Sequence, residues 1–158
     1  MVYLITGKAR AGKTTYATRL TEELSASGHQ VLHLDGDNFR RERDNQDFTD
    51  EGRLRNLMEA ANVARRAEAD GQTVVMSFIS PRREWRDAMR KLWKISRVIY
   101  IPGGSLWDGT TYESPTDDEL TTVHLFMAKS DKWILVGKEN AATRLKTRLN
   151  QRINEWNI

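Results

Sequence analysis

The chain has 158 residues, 25 of them lysine or arginine and 22 acidic, for a net charge of +3 and a pI near 9.3. A length of this order suits one domain with one core, and 39% hydrophobic against 30% charged residues is an ordinary balance for a globular chain. No apolar run approaches the roughly 20 residues needed to cross a bilayer, the start carries no basic-then-apolar leader pattern, and the absence of cysteine excludes disulfides and thiolate metal sites, so a cytoplasmic protein is expected.

The elements follow in chain order. "VYLI" (2–5) reads as a buried strand running directly into "GKARAGKTT" (7–15). Residues 14–27 place Ala17, Leu20 and Leu24 at helical spacing, with Gly28 as the stop. "VLHL" (31–34) is a second strand. A long helix is predicted from about 50 to 70, with Leu54, Leu57, Met58, Ala61, Ala64 and Ala67 on one stripe and Gly71 at its end. "TVVMSFI" (73–79) is the third strand, Pro81 opens a helix reaching about Trp93, and "RVIYI" (97–101) is the fourth strand. Residues 102–130 read mostly as loop, "WILV" (133–136) as a fifth strand, and 139–156 as an amphipathic helix. Strands that alternate with helices and are apolar on both faces imply an α/β fold of three layers, with about five parallel strands covered on both sides. One domain over 1–158 is expected, with 102–130 as a short lid or loop region.

Gly7, Gly12, Lys13 and Thr14 satisfy G-x-x-x-x-G-K-[ST], and the required context of strand before and helix after is met. The glycines let successive backbone N–H groups curl towards one anion, and the following helix adds the positive end of its dipole. Lys13 is placed to reach the outer phosphates and the Thr14 hydroxyl to ligate Mg²⁺. Gly7, Lys8, Ala9, Arg10, Ala11, Gly12, Lys13, Thr14 and Thr15 are therefore the candidates for holding ATP phosphates.

"LDGDNFR" (34–40) follows the second strand, putting Asp35 and Asp37 at the carboxyl end of a parallel sheet, where open α/β sheets bind ligands. One carboxylate can take a proton from an acceptor hydroxyl or order a Mg²⁺ shell while the other fixes the turn; "DGDN" is also ordinary turn chemistry. In order and spacing, "DGDNFR", "FTDEGRLRN" (48–56) and "SFISPRR" (77–83) resemble the motifs of adenylylsulfate kinases. The resemblance covers roughly residues 1–100. It implies a P-loop kinase that moves the γ-phosphate of ATP, with Mg²⁺, to the 3′-hydroxyl of adenosine 5′-phosphosulfate. In that frame Asp37 is the catalytic carboxylate, Asp35 its partner near the metal, and Lys13 the phosphate lysine. The resemblance also makes Arg40, Arg53 and Asn56 the holders of the acceptor's phosphosulfate and ribose, Phe48 a stacking face, and Ile79, Ser80 and Pro81 the remaining wall.

The pattern departs from the family in two places. The run after the helix asparagine is "LME" (57–59) where a second arginine pair is expected, and residues 102–119 contain no lysine or arginine where a basic lid is expected. Trp107 either replaces the lid aromatic or packs the loop down. Arg10, Arg82, Arg83 and Arg86 are then the candidates for the missing cations. The stretch 82–97 holds seven basic residues against two acidic ones, a solvated helix face or a surface for a polyanion. The polyanion reading gives an alternative, a divergent kinase of the kind found in bacteriophages whose acceptor is a hydroxyl in DNA, such as a hydroxymethylpyrimidine or a polynucleotide end. A regulatory NTPase is disfavoured, because no D-x-x-G switch is present. A pure nucleic-acid module would leave the glycine loop unexplained. His29, His33 and His124 have no metal-ligand spacing, and no membrane partner is expected.

Overall fold

The computed structural model describes residues 1–107, 109–116, 118 and 119 and the strands at 124–127 and 133–136; the helix expected over 139–156 lies outside them. The chain runs β1 (Val2–Thr6), α1 (Lys13–Ala26), β2 (Val31–Asp35), α2 (Gly36–Glu42), α3 (Asp50–Ala69), β3 (Thr73–Ser77), α4 (Arg83–Arg90) and β4 (Ser96–Tyr100). The four strands make one parallel sheet in the order β2-β3-β1-β4. Register pairs Val2 with both Val74 and Ser96, and Asp35 with Ser77. Thr6, Asp35 and Ser77 therefore end their strands at the same edge of the sheet, below the glycine loop.

Alternation along the strands explains the layers. Val2, Leu4, Val74 and Met76 face Leu57, Ala60, Ala61 and Ala64 of α3 and Trp85 and Met89 of α4. Ile5, Val75 and Ile99 face Tyr16, Ala17 and Leu20 of α1. Each strand residue points to the opposite side from its neighbour, so a strand covered on both faces must be apolar throughout. The buried stripe of α3 is built from alanines, small enough to bring the helix backbone close to the sheet. Its start is set by Thr49, whose hydroxyl accepts from the Gly52 N–H (3.1 Å), with Asp50 and Glu51 in the first turn favouring the helix dipole.

Two expectations are corrected here. Trp133–Val136 (β6) is a strand, but it pairs antiparallel with His124–Met127 (β5), His124 opposite Val136, and does not join the parallel sheet. A four-residue apolar run carries strand character without specifying its partner. β5 itself lies in the stretch read as loop. In addition, the turn after β2 continues into α2, started by the Asp35 side chain accepting from the Asn38 N–H. No described helix is long and apolar enough to cross a membrane.

Candidate active site

The glycine loop spans from β1 to α1. Gly7 is required by close approach, since a Cβ there would stand 2.5 Å from the Ile101 carbonyl oxygen. Gly12 caps α1 without any side-chain cap bond, so the first helical N–H groups stay available to an anion. Lys13 donates to the Lys8 carbonyl across the loop (2.6 Å). Burial lowers its pKa, and the nearby Asp37 and Asp35 carboxylates oppose that shift. Burial removes part of the solvation of the Lys13 ammonium, which strengthens its pull on a phosphate.

The two aspartates separate as their alternation suggests. Asp35 Oδ1 accepts from the Thr14 hydroxyl (2.7 Å) and the Ser77 hydroxyl (2.8 Å). His33 Nε2 lies 3.1 Å from Ser77 Oγ. Because Ser77 gives its hydrogen to the carboxylate, His33 is the donor to Ser77, and a relay His33–Ser77–Asp35–Thr14 runs beneath the glycine loop. Burial holds the His33 pKa below the ordinary histidine value, against the pull of Asp35. Asp37, two residues on, is exposed and lines a separate cavity.

That cavity is bounded by Gly36, Asp37, Arg40, Phe48, Arg53, Asn56, Leu57, Phe78, Ile79, Ser80, Pro81 and Trp107. Asp37 and all seven residues named from the sequence for the acceptor site are among them. Arg40 is fixed by donating to the Asp47 carbonyl (3.0 Å) and to Asn45 Oδ1 (3.4 Å), and its guanidinium sits over the Phe48 ring at 4.6 Å. Burial lowers the Arg40 pKa, and the like charge of Arg53 lowers it further. Neither arginine has a carboxylate within ion-pair distance among the described residues. Two guanidiniums that repel each other on one wall favour an anion between them. Asn56 is buried, with its side-chain oxygen accepting from Asn45 (3.4 Å). Phe48 and Trp107, both lining the cavity, are 53% and 54% exposed. Ser80 has a left-handed backbone (φ 46), and its buried hydroxyl has no hydrogen-bond partner among the described residues.

The arginines after Pro81 are engaged elsewhere, which corrects their reading as free cations. Arg86 is fully buried and forms a two-pronged pair with Glu119, also fully buried, while donating to the Ser80 carbonyl (2.7 Å). Arg83 binds Asp118 (2.7 Å) and Thr116 (2.9 Å), and Arg82 pairs with Asp50. Glu113 N–H donates to the Pro81 carbonyl (2.7 Å). The Tyr112 hydroxyl lies 2.9 Å from that of Thr6, and burial raises its pKa. Tyr112, Glu113, Thr116, Asp118 and Glu119 thus form a strap tied to α4 and its approach and to the end of β1. At the other end of the loop, Ser105 N–H donates to the Ala9 carbonyl (2.8 Å) in an isolated antiparallel bridge. Sequence reasoning missed both anchors. The acidic run "DDE" opposite the arginine run was the available signal for the strap. A bridge held through main-chain atoms leaves no such signal.

A parallel sheet with a glycine loop between its first strand and first helix, and carboxylates at the carboxyl end of the next strand, defines a P-loop protein of the kinase type. The adenylylsulphate kinase family model matches residues 1–102, and the chain belongs to that family. It is 41% identical over 90 residues to the adenylyl-sulfate kinase of Bacillus velezensis, covering 56% of this chain and 45% of that protein. It is 40% identical over 102 residues to a probable adenylyl-sulfate kinase of Aeropyrum pernix, covering 64% and 56%. The chain therefore spans about half the length of the curated relatives it matches. Among solved structures, a mutant of the Mycobacterium tuberculosis APS kinase CysC superposes with a TM-score of 0.62 at 26% identity, covering 72% of this chain and 78% of that one. The same kinase in complex with AMPPNP and APS gives 0.57 at 27%, covering 63% and 61%.

Proposed function

We propose that the protein transfers the γ-phosphate of ATP to the 3′-hydroxyl of adenosine 5′-phosphosulfate. The observation that carries this reading is the cavity in which Arg40 and Arg53, without carboxylate partners among the described residues, stand beside Asp37, Asn56 and the partly exposed ring of Phe48. Such a wall suits a compact acceptor with a bidentate anionic group and a flat base. The family membership and the nucleotide and APS named for a structural relative support it.

The glycine loop holds the nucleotide's phosphates through its N–H groups and Lys13. The Thr14 hydroxyl and Asp35 carboxylate, 2.7 Å apart, are an oxygen-only donor pair suited to Mg²⁺, which takes one or two protein oxygens beside substrate phosphates. When bound, that ion neutralises phosphate charge. Arg53 and Arg40 orient the acceptor's phosphosulfate, and Asp37 accepts the proton of its hydroxyl. The acceptor oxygen then bonds to the γ-phosphorus while the bond to the β–γ bridging oxygen breaks, and ADP leaves with that electron pair. Ser77 and His33 hold Asp35 in place beside Thr14.

The test is transfer of labelled γ-phosphate to adenosine 5′-phosphosulfate, to nucleosides and to DNA carrying hydroxymethylpyrimidines. Transfer to the phosphosulfate is expected, with Asp37→Asn slower by about 10²–10⁴-fold and its ATP affinity nearly unchanged. Transfer confined to DNA would overturn the acceptor assignment.

A further inference from the structure

Arg10 stands in the middle of the glycine loop in the left-handed region, at φ 61. A side chain with a Cβ adopts this conformation at a cost, and it persists only where the surroundings impose it. Those surroundings are visible. Ser105 N–H binds the carbonyl of Ala9, the residue before Arg10, and Gly104 (φ 76) lies so close that a Cβ on it would meet the same carbonyl and approach the Ala11 nitrogen at 2.9 Å. The stem of the post-β4 loop therefore clasps the residues on both sides of Arg10. The Arg10 side chain is exposed and has no carboxylate within ion-pair distance among the described residues.

The surrounding charge balance gives this placement a purpose. Residues 102–119 have no lysine or arginine, and Arg82, Arg83 and Arg86 are tied to Asp50, Asp118 and Glu119. Phosphoryl transfer leaves negative charge on the non-bridging oxygens, and a cation near them lowers the barrier. Lys13 supplies one. We propose that Arg10 is a second phosphate-contacting cation, built into the loop itself in place of a basic lid, and that Gly104 and Ser105 are positioning residues that hold it there. The inference rests on the glycine loop being the ATP site. It does not depend on which acceptor is used.

The experiment measures binding of ADP and AMPPNP, each with Mg²⁺ and without acceptor, together with melting temperature and turnover. Arg10→Gly is the decisive variant, because glycine accepts the left-handed backbone freely. It should melt at or above the wild-type temperature yet bind AMPPNP at least about tenfold more weakly and turn over about 10²-fold more slowly. Arg10→Lys, which keeps the charge, should recover most of the affinity. Gly104→Ala should raise the KM for ATP and leave the acceptor KM unchanged, a split that general loss of structure would not give. Wild-type AMPPNP affinity and turnover in Arg10→Gly would overturn the proposal. A wild-type protein that binds AMPPNP in the predicted Arg10-dependent way but does not phosphorylate adenosine 5′-phosphosulfate would uphold this proposal and overturn the acceptor assignment alone.

Discussion

Residues 1–101 and residues 102–119 meet above the same strand ends, yet they are held by different physics. The first region is fixed by burial. Strands apolar on both faces lie between α1 and the pair α3 and α4, and the site residues sit at element ends that this packing positions. The described residues of the second region contribute few apolar side chains to the core and are fastened by polar anchors, Ser105 to Ala9 at one end and Thr116, Asp118 and Glu119 to α4 at the other. Between the anchors, Leu106 and Trp107 are exposed. The family match ends at residue 102, where the first region gives way to the second. A packed scaffold preserves its motifs because each is geometrically committed. A loop held by a few polar contacts leaves the residues between its attachment points without such commitment.

The largest effect expected from disturbing this division is at the buried pair. Arg86→Met strands the Glu119 carboxylate in the interior and should cost about 3–5 kcal/mol in denaturant unfolding, whereas Arg86→Met with Glu119→Leu should recover most of it. Equal losses in the single and double variants would mean that the strap is held by something other than this pair.

A smaller effect is expected at Trp107. Its partly exposed ring on the cavity should serve as a stacking face, so Trp107→Ala should raise the acceptor KM about tenfold, the scale of one base–aromatic contact, with the ATP KM unchanged. An unchanged acceptor KM would assign Trp107 to loop packing.

The smallest effect lies in the first region. Burial holds His33 neutral, with a folded pKa below the unfolded value of about 6.5. The native state then binds fewer protons as pH falls through that value, so stability declines below about pH 6.5 and levels off beneath the folded pKa. His33→Gln should flatten this slope between pH 7.5 and 5 in urea-unfolding midpoints. A slope that survives the substitution would place the titrating group elsewhere.

How legible each region was in the sequence follows from the same division. That the candidate acceptor residues line one cavity was readable because Arg53 and Asn56 share one face of α3, and the aspartates and "SFISPRR" stand at strand ends whose position the apolar runs determine. The pairing of Arg86 was not, because a lysine- and arginine-rich run looks alike whether its charges are solvated or paired, and its partner lies 33 residues away. The loop bridge at Ala9 was hidden because main-chain hydrogen bonds do not depend on side-chain identity. Pairing of β6 was misjudged because four apolar residues fit parallel and antiparallel partners equally.

The central claim is that the compact cavity beside Asp37, and not the arginine-rich surface of α4, receives the acceptor. The most direct measurement is kcat/KM for adenosine 5′-phosphosulfate in Arg53→Ala and Arg83→Ala, with ATP saturating. A fall of about 10²-fold for Arg53→Ala, equivalent to losing one charge-assisted anion contact of roughly 3 kcal/mol, with Arg83→Ala within about threefold of wild type, is the result predicted. A large loss in Arg83→Ala with Arg53→Ala unaffected would contradict it.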